Sequence, residues 1–545
     1  GFKSLYGSFA WHLIDNTLQL GDNERITAPT SFDMLIPDSI TNRHLVYSIS
    51  KKSDSLNFRS SFGNYDYDNS MLTFNNIDYI QVSDAAIIPA DRSVSATIGG
   101  ALMPINDGYV VINIDNEYHT LHQTNTTIKS RHDFSGSGYY NYVDANDNIT
   151  PVFVEKITGK DSTVKAIAII SDLNPLPLNP IVDFQGTMTL TNNSEDINLS
   201  GYYHVKQSCF ENDTWIKLAH NADPDSLMLP INRNYLSINE KPIFSGLSLS
   251  KPGAVVYPCF LSEKTKTTDW SIMNVEGMLS FTEDEYIIND STKKFAGLKE
   301  SHIALHPNNC TMTGSDEFNL FERQGRIDIA TAGDIWYNFM NDSIIIDISL
   351  FLDFHFNDAA LEVLSTELLT ANTNYSVPED NQLHSAMNFI MPEKEFTQYY
   401  EGVSLFGSGK TPELLKSNIV ISHAKLVWND ERKVFYTIEP FTIYSINGVV
   451  INKTIDGAME ISKMGGTESI TILMNPKSDF GSNRYFFFYH NNNMFTFSTN
   501  DNFSDLIRND KKKVRRLKRK KGLPAYQYII ATSERFGEFC RRYGF

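Results

Sequence analysis

Ser343-Ile344-Ile345-Ile346-Asp347-Ile348-Ser349-Leu350-Phe351-Leu352-Asp353-Phe354-His355-Phe356 is the stretch that decides the fold class. Ile344, Ile346, Ile348, Leu350, Leu352, Phe354 and Phe356 recur at every second position, the period of a β-strand with one dry face. The opposite face reads Ile345, Asp347, Ser349, Phe351, Asp353, His355, and its two carboxylates predict contact with water. Such a strand would reach about 40 Å, roughly twice the usual length. Strands of that size belong to extended sheets, large sandwiches, barrels or lipid-accommodating grooves.

Working outward, Asn357 or Asp358 can cap a helix over 359–371 with an apolar stripe of Leu361, Leu364, Leu368 and Leu369. Two shorter helices, 381–390 and 393–400, are separated by Pro392, which ends the first. Residues 357–416 therefore read as a small helical insert docked on a sheet, and 503–508 and 534–543 as terminal helices. From 418 to 499 short alternating segments meet turn signals in succession. Asn429-Asp430, Pro440, Asn447-Gly448, Asp456-Gly457, Gly465-Gly466 and Asn475-Pro476 punctuate a run expected to be sequential antiparallel strands, with Asn447-Gly448 favouring a type I′ turn. A Gly followed by apolar alternation recurs at Gly186, Gly246, Gly277 and Gly457. Its intervals are irregular, as in hairpin-rich chains and unlike a fixed-period solenoid.

The 545-residue chain is 41% hydrophobic and 21% charged, within the globular range and outside the disordered one. Its 35 Phe and 26 Tyr, with abundant Asn and Asp, favour strands joined by polar turns. The expected class is mainly β: elongated antiparallel sheets and meanders with a small helical insert and a basic C-terminal tail. The expected divisions are 1–180, a β domain; 181–340, a β domain with the Gly-plus-alternation hairpins; 341–417, the long strand and insert; 418–507, the meander; and 508–545, the tail. The first residues read as strand and turn text from within a longer polypeptide, and no stretch has the apolar length of a membrane-spanning helix.

Net charge is −18, unevenly spread. Residues 508–545 hold 13 Lys and Arg against 3 Asp and Glu, leaving residues 1–507 with 34 basic and 62 acidic side chains, a net of −28. Lys511, Lys512, Lys513, Arg515, Arg516, Lys518, Arg519, Lys520 and Lys521 form an anion-binding candidate for a membrane surface, against the alternative of a solvated linker pairing with the acidic body. Nucleic acid is disfavoured because the acidic body repels a polyanion. The cysteines, Cys209, Cys259, Cys310 and Cys540, share no metal-ligand spacing; a bridge between Cys209 and Cys259 and idle thiols are both open readings.

Motifs for catalysis are incomplete. Phe406-Gly407-Ser408-Gly409-Lys410-Thr411 resembles the end of a phosphate-binding loop, but Ser404 stands where the first Gly belongs and Pro412 follows. Thr411 capping a short helix started by Pro412 explains the same letters. Asp144, Asn146, Asn148, Thr150, Val152 and Glu155 match a calcium-loop spacing, yet Ile149 replaces the turn Gly, and a polar hairpin loop is the better reading. His119 and His122 would face opposite ways on a strand. Asp347 and Asp353 lie too far apart along theirs for a hydrolase pair. No cofactor, metal site or catalytic residue is expected.

Residues 277–289, the strand 344–356 with its trailing helix, the Leu426-Val427-Trp428-Asn429 strand end and the aromatic hairpin 485–498 resemble the C-terminal part of very large, uncharacterised, β-rich envelope proteins of Gram-negative bacteria. The Gly-plus-alternation phrases look somewhat like β-groove proteins of the AsmA and TamB type. That resemblance implies a periplasmic or outer-membrane-associated protein in which the apolar face of Ile344 to Phe356 either lines a groove for acyl chains or forms an interdomain core. The expectation is a non-enzymatic envelope protein that binds lipid, with an assembly or secretion-complex scaffold binding protein partners as the alternative and a carbohydrate-active enzyme as a third.

Overall fold

A computed structural model describes residues 1–21, 43–144, 146–218, 229–232, 234–251, 253–282, 284–290, 295, 297–321, 327–372, 381–406, 409–464, 467–477, 481–490, 493–510 and 526–545. The chain is mainly β, with 54% strand and 13% helix, as the aromatic and alternating text predicts. It forms two compact units: Gly1–Lys206 with Lys217–Asp225, and Gln207–Ile216 with Ser226–Phe545.

The first unit carries a large antiparallel sheet and a separate five-stranded one. Its long strands alternate on either side of a bulge: the His119–Ser130 strand buries His119 and Leu121, shifts register between His122 and Asn125 with Gln123 at positive φ, and then buries Thr124, Thr126 and Ile128. One dry face per strand is what a period-2 pattern requires.

The second unit is built on a 16-stranded sheet in which the long strand, Ser343–Asp353, sits between Asp328–Asn338 and Ile419–Asn429. Regular structure ends three residues earlier than the alternation. His355 takes a left-handed conformation (φ 50°), so Phe354 and Phe356 both turn inward around a corner. The Asn418 side-chain oxygen holds that corner, accepting from the Phe354 and Phe356 backbone N–H groups at 3.0 and 3.2 Å. All seven alternating residues are at most 3% exposed. They face the unit's own core, where Phe356 packs 4.8 Å from Tyr528 and 6.0 Å from Phe503, and Phe354 lies 5.5 Å from Phe487.

The opposite face departs from expectation in part. Its two carboxylates and His355 stay partly exposed, as their charge predicts, but the middle of the face lies beneath the helical insert: Phe351 is 1% exposed among Leu383, Met387, Phe396 and Tyr399, and Ser349 is fully buried. The insert's two helices are α2 (Asn381–Ile390) and α3 (Glu393–Phe406), after α1 (Asp358–Thr370), which starts where the sequence puts it, with Asn357 Oδ1 accepting from Ala360 N at 3.1 Å. Along α1, Leu361, Leu364 and Leu368 are buried but Leu369 is 46% exposed, one position off the stripe. Each large apolar side chain that α2 and α3 bury contributes about 1.5–3 kcal/mol, enough for a few to anchor two short helices. The remaining helices are α4 (Asp501–Arg508) and α5 (Ser533–Tyr543), the latter packing Phe536 and Phe539 on Phe486.

Within the 418–499 run, sequential pairing breaks at the Ile419–Asn429 strand among the described residues. The Ile419–Asn429 strand forks: its first half pairs with Phe441–Ile446 and its second with Val434–Thr437, which continues to Gly457–Met464. Register shifts between Val420 and His423 bend the strand at the fork, and the hairpin of Phe441–Ile446 with Val449–Ile455 leaves the sequential order. Its turn is as expected, with positive φ at both Asn447 and Gly448.

The recurrent glycines have a shared cause. A Cβ at Gly246 would lie 2.1 Å from the Met273 carbonyl oxygen of the paired strand, and one at Gly457 2.3 Å from that of Leu473. Gly186 and Gly277 sit equally close to neighbouring backbone. Alternation resumes after each glycine because the chain remains a strand.

Cys209 bonds to Cys310 rather than to Cys259, with Cα atoms 5.1 Å apart. Cys259 is buried, and its thiol donates to Ser248 Oγ at 3.7 Å.

Candidate functional site

A polar row crosses six strands of the large sheet on the insert-covered face. Register pairs Asn289 with His302, His302 with Ser315, Ser315 with Asp334, Asp334 with Asp347, and Asp347 with Lys425. Two carboxylates directly opposite repel, and each is given its own cation. Lys299 pairs with Asp334, which also accepts from Ser315 Oγ at 2.6 Å. His423 Nε2 donates to Asp347 Oδ2 at 3.0 Å, and Gln382 Nε2 of α2 donates to Oδ1 at 2.8 Å.

Burial opposes the Asp347 charge, but the His423 and Gln382 bonds and the His423 charge overcome it and hold the carboxyl below its ordinary value. The bond to Asp347 raises His423 above its ordinary value against the effect of burial. The Ser315 hydroxyl donates to Asp334. What the row does is dock the insert: Gln382 reaches Asp347, and the Lys299 backbone N–H donates to Ser385 Oγ of α2 at 3.1 Å.

The raised His423 contributes stability that is full below the unfolded histidine pKa of about 6.5 and fades as pH rises through its raised folded value. The depressed Asp347 contributes stability that is lost as pH falls through its own lowered value. The stability difference between wild type and Asp347→Asn, measured by urea unfolding, is therefore expected to be largest near pH 6 and to shrink toward pH 9. A difference that grows with pH would contradict the pairing.

The other sequence candidates are separated. His119 is buried, donating Nε2–H to the Ser194 carbonyl at 3.0 Å, and burial pushes its pKa down; His122 faces the other way, with Nε2 2.8 Å from Asn141 Oδ1. Asp144 tightens a hairpin by accepting from the Asn146 and Asn148 backbone N–H groups at 2.8 and 2.9 Å. Of the phosphate-loop resemblance, residues 407–408 lie outside the described residues; Pro412 precedes a single 3₁₀ turn, Glu413–Lys416, and no side chain caps it. The anion-binding candidate, Lys511, Lys512, Lys513, Arg515, Arg516, Lys518, Arg519, Lys520 and Lys521, lies wholly outside the described residues. Among the described residues no cluster of His, Cys, Asp and Glu could hold a metal ion, and no helix is long and apolar enough to cross a membrane. A cavity of about 450 Å³ beside the insert mixes Phe321, Ile329 and Phe351 with Glu317 and Asp328.

The surface that sequence reading missed is in the first unit. The five-stranded sheet runs Val94–Thr97, Met71–Asn75, Phe62–Asp66, Thr17–Leu20, Phe9–His12, with Phe9–His12 at one edge. Two register rows cross it: Val94, Phe74, Gly63, Leu20, Phe9, and Ala96, Leu72, Tyr65, Leu18, Trp11. Each begins in core, with Phe74 at 1% and Ala96 at 0% exposure, and ends in the open, with Phe9 at 74% and Trp11 at 52%. Leu13 and Ile14, in the turn beyond, are 84% and 99% exposed. Trp11 stacks on Tyr67 with ring centroids 5.0 Å apart, which orders it. The alternation of Phe9, Trp11 and Leu13 is visible in the sequence; that nothing in this chain's described residues covers it is not.

An apolar face continuous with a core and running out to a strand that, among the described residues, pairs on one side only has the geometry for receiving another strand. No protein-family model and no curated protein matches this chain.

Proposed function

We propose that the protein is a non-catalytic scaffold of the bacterial cell envelope that binds protein partners by adding their strand to the Phe9–His12 edge. The observation that carries this reading is the pair of register rows that start in the core and end at exposed Phe9 and Trp11. Strand addition supplies backbone hydrogen bonds along the edge and covers the apolar side chains in one step. The Cys209–Cys310 bridge favours an oxidising compartment such as the periplasm. An acyl-chain groove on Ile344, Ile346, Ile348, Leu350, Leu352, Phe354 and Phe356 has less support, because those side chains pack against Phe487, Phe503 and Tyr528 of the same unit. The cavity beside the insert carries carboxylates among its apolar walls, which also suits an acyl chain poorly. The basic segment 511–521 would add a contact to an anionic membrane surface.

The test places a photo-crosslinking residue at position 9 of the chain in its native cells and, in parallel, extracts the purified protein for lipid mass spectrometry. The expected result is a discrete protein adduct, lost in Trp11→Lys, with no stoichiometric lipid. Stoichiometric lipid without a protein adduct would return the protein to the lipid-carrier reading.

A further inference from the structure

We propose that the strand received at this edge is the same edge of a second copy, the two Phe9–His12 strands running antiparallel about a two-fold axis centred on Ala10. The inference rests on the strand-addition reading and names its partner. The Gly21 backbone N–H donates to the Ser8 carbonyl at 2.9 Å, in register with Phe9 opposite Leu20. Alternation in an antiparallel ladder then points the N–H and C=O groups of Ser8, Ala10 and His12 toward the Thr17–Leu20 strand and those of Phe9 and Trp11 outward.

An axis through Ala10 sets Phe9 of each copy opposite Trp11 of the other. The outward N–H of one residue meets the outward C=O of the other in both pairs, so all four outward donors and acceptors at the centre are satisfied. A strand pairs without flipping its faces only when opposed residues share parity, and Phe9 and Trp11 do. Both aromatic side chains therefore stay on the face that continues the core, where cross-strand aromatic contact is favourable. Two five-stranded sheets become one continuous sheet.

Charge and area agree. The segment from Leu5 to Ile14 carries no Lys, Arg, Asp or Glu, so self-pairing opposes no like charges along the edge and no lysine guards it. Leu5, at 69% exposure, with Phe9, Trp11, Leu13 and Ile14, leaves on the order of 700 Å² of side chain accessible, near the ~800 Å² a partner contributes to a standard interface. The repulsion between copies is remote, coming from the net charge of −18 on each. Added salt screens such repulsion, so this dimer should tighten with ionic strength.

Sedimentation velocity on the full chain over a concentration series, at low and high salt, tests the proposal. The expected result is a reversible dimer whose dissociation constant falls severalfold in high salt, and a Trp11→Lys variant that stays monomeric with an unchanged melting curve. Ile169→Lys, at a 63% exposed position of the large sheet, should leave the dimer intact. A wild type that is monomeric throughout, or a dimer indifferent to Trp11→Lys, overturns the self-pairing. A monomer that still crosslinks from position 9 to a different protein overturns it too while preserving the scaffold reading, which separates the two failures.

Discussion

Ile348→Asp is expected to leave the second unit without a cooperative unfolding transition, while Asp347→Asn, one residue away, unfolds cooperatively within about 1–2 kcal/mol of wild type. Ile348 is fully buried on the central strand, opposite Gly333 on one side and Ala424 on the other. An aspartate there forfeits about 1.5–3 kcal/mol of apolar burial and adds the larger cost of placing a carboxylate in an apolar core. That total rivals the whole stability of a folded domain, about 5–15 kcal/mol. Asp347→Asn keeps one acceptor oxygen, enough for Gln382, and loses the charge and the second acceptor that His423 uses. Urea unfolding followed by circular dichroism separates the two. Equal effects would mean the strand's facing is misassigned.

The second large effect is expected at the disulfide. Cys209 and Cys310 are 101 residues apart, and closing a loop of about 100 residues is worth about 4.7 kcal/mol in the chain-entropy account. Cys209→Ser with Cys310→Ser should lower the melting temperature of the second unit by several degrees, and a reducing agent should do the same to wild type without further effect on the double variant. Cys259→Ser keeps the bridge, so reductant should lower its melting temperature by as much as it lowers that of wild type; the buried Cys259 thiol donates to Ser248 and takes no part in the bridge. A wild type indifferent to reductant would mean the bridge does not form in solution.

These outcomes bear on how far local text reaches. The α1 start at Asn357, the break at Pro392 and the turn at Asn447-Gly448 rest on single-residue chemistry: a cap oxygen, a missing N–H, a permitted positive φ. Such signals act within a few residues and can be read from them. The cover over the middle of the Asp347 face was not foreseen because α2 and α3 come from residues some 35 to 60 positions further on, and Gln382 of α2 is what reaches Asp347. The Cys310 partner of Cys209 was equally out of reach of spacing rules, since the pairing depends on which loops a 101-residue excursion brings together.

By itself, then, the sequence determined the mainly-β class, the inward set from Ile344 to Phe356, the start of α1 and the Asn447-Gly448 turn, because side-chain period and backbone chemistry are local. Only the tertiary structure decided that the inward set meets Phe487, Phe503 and Tyr528, that a polar row assembles from Asn289 to Lys425, and that Phe9 and Trp11 are left uncovered by the described residues. Burial is a property of what packs against a residue, and in a sheet this large the packing partner is seldom its neighbour in sequence.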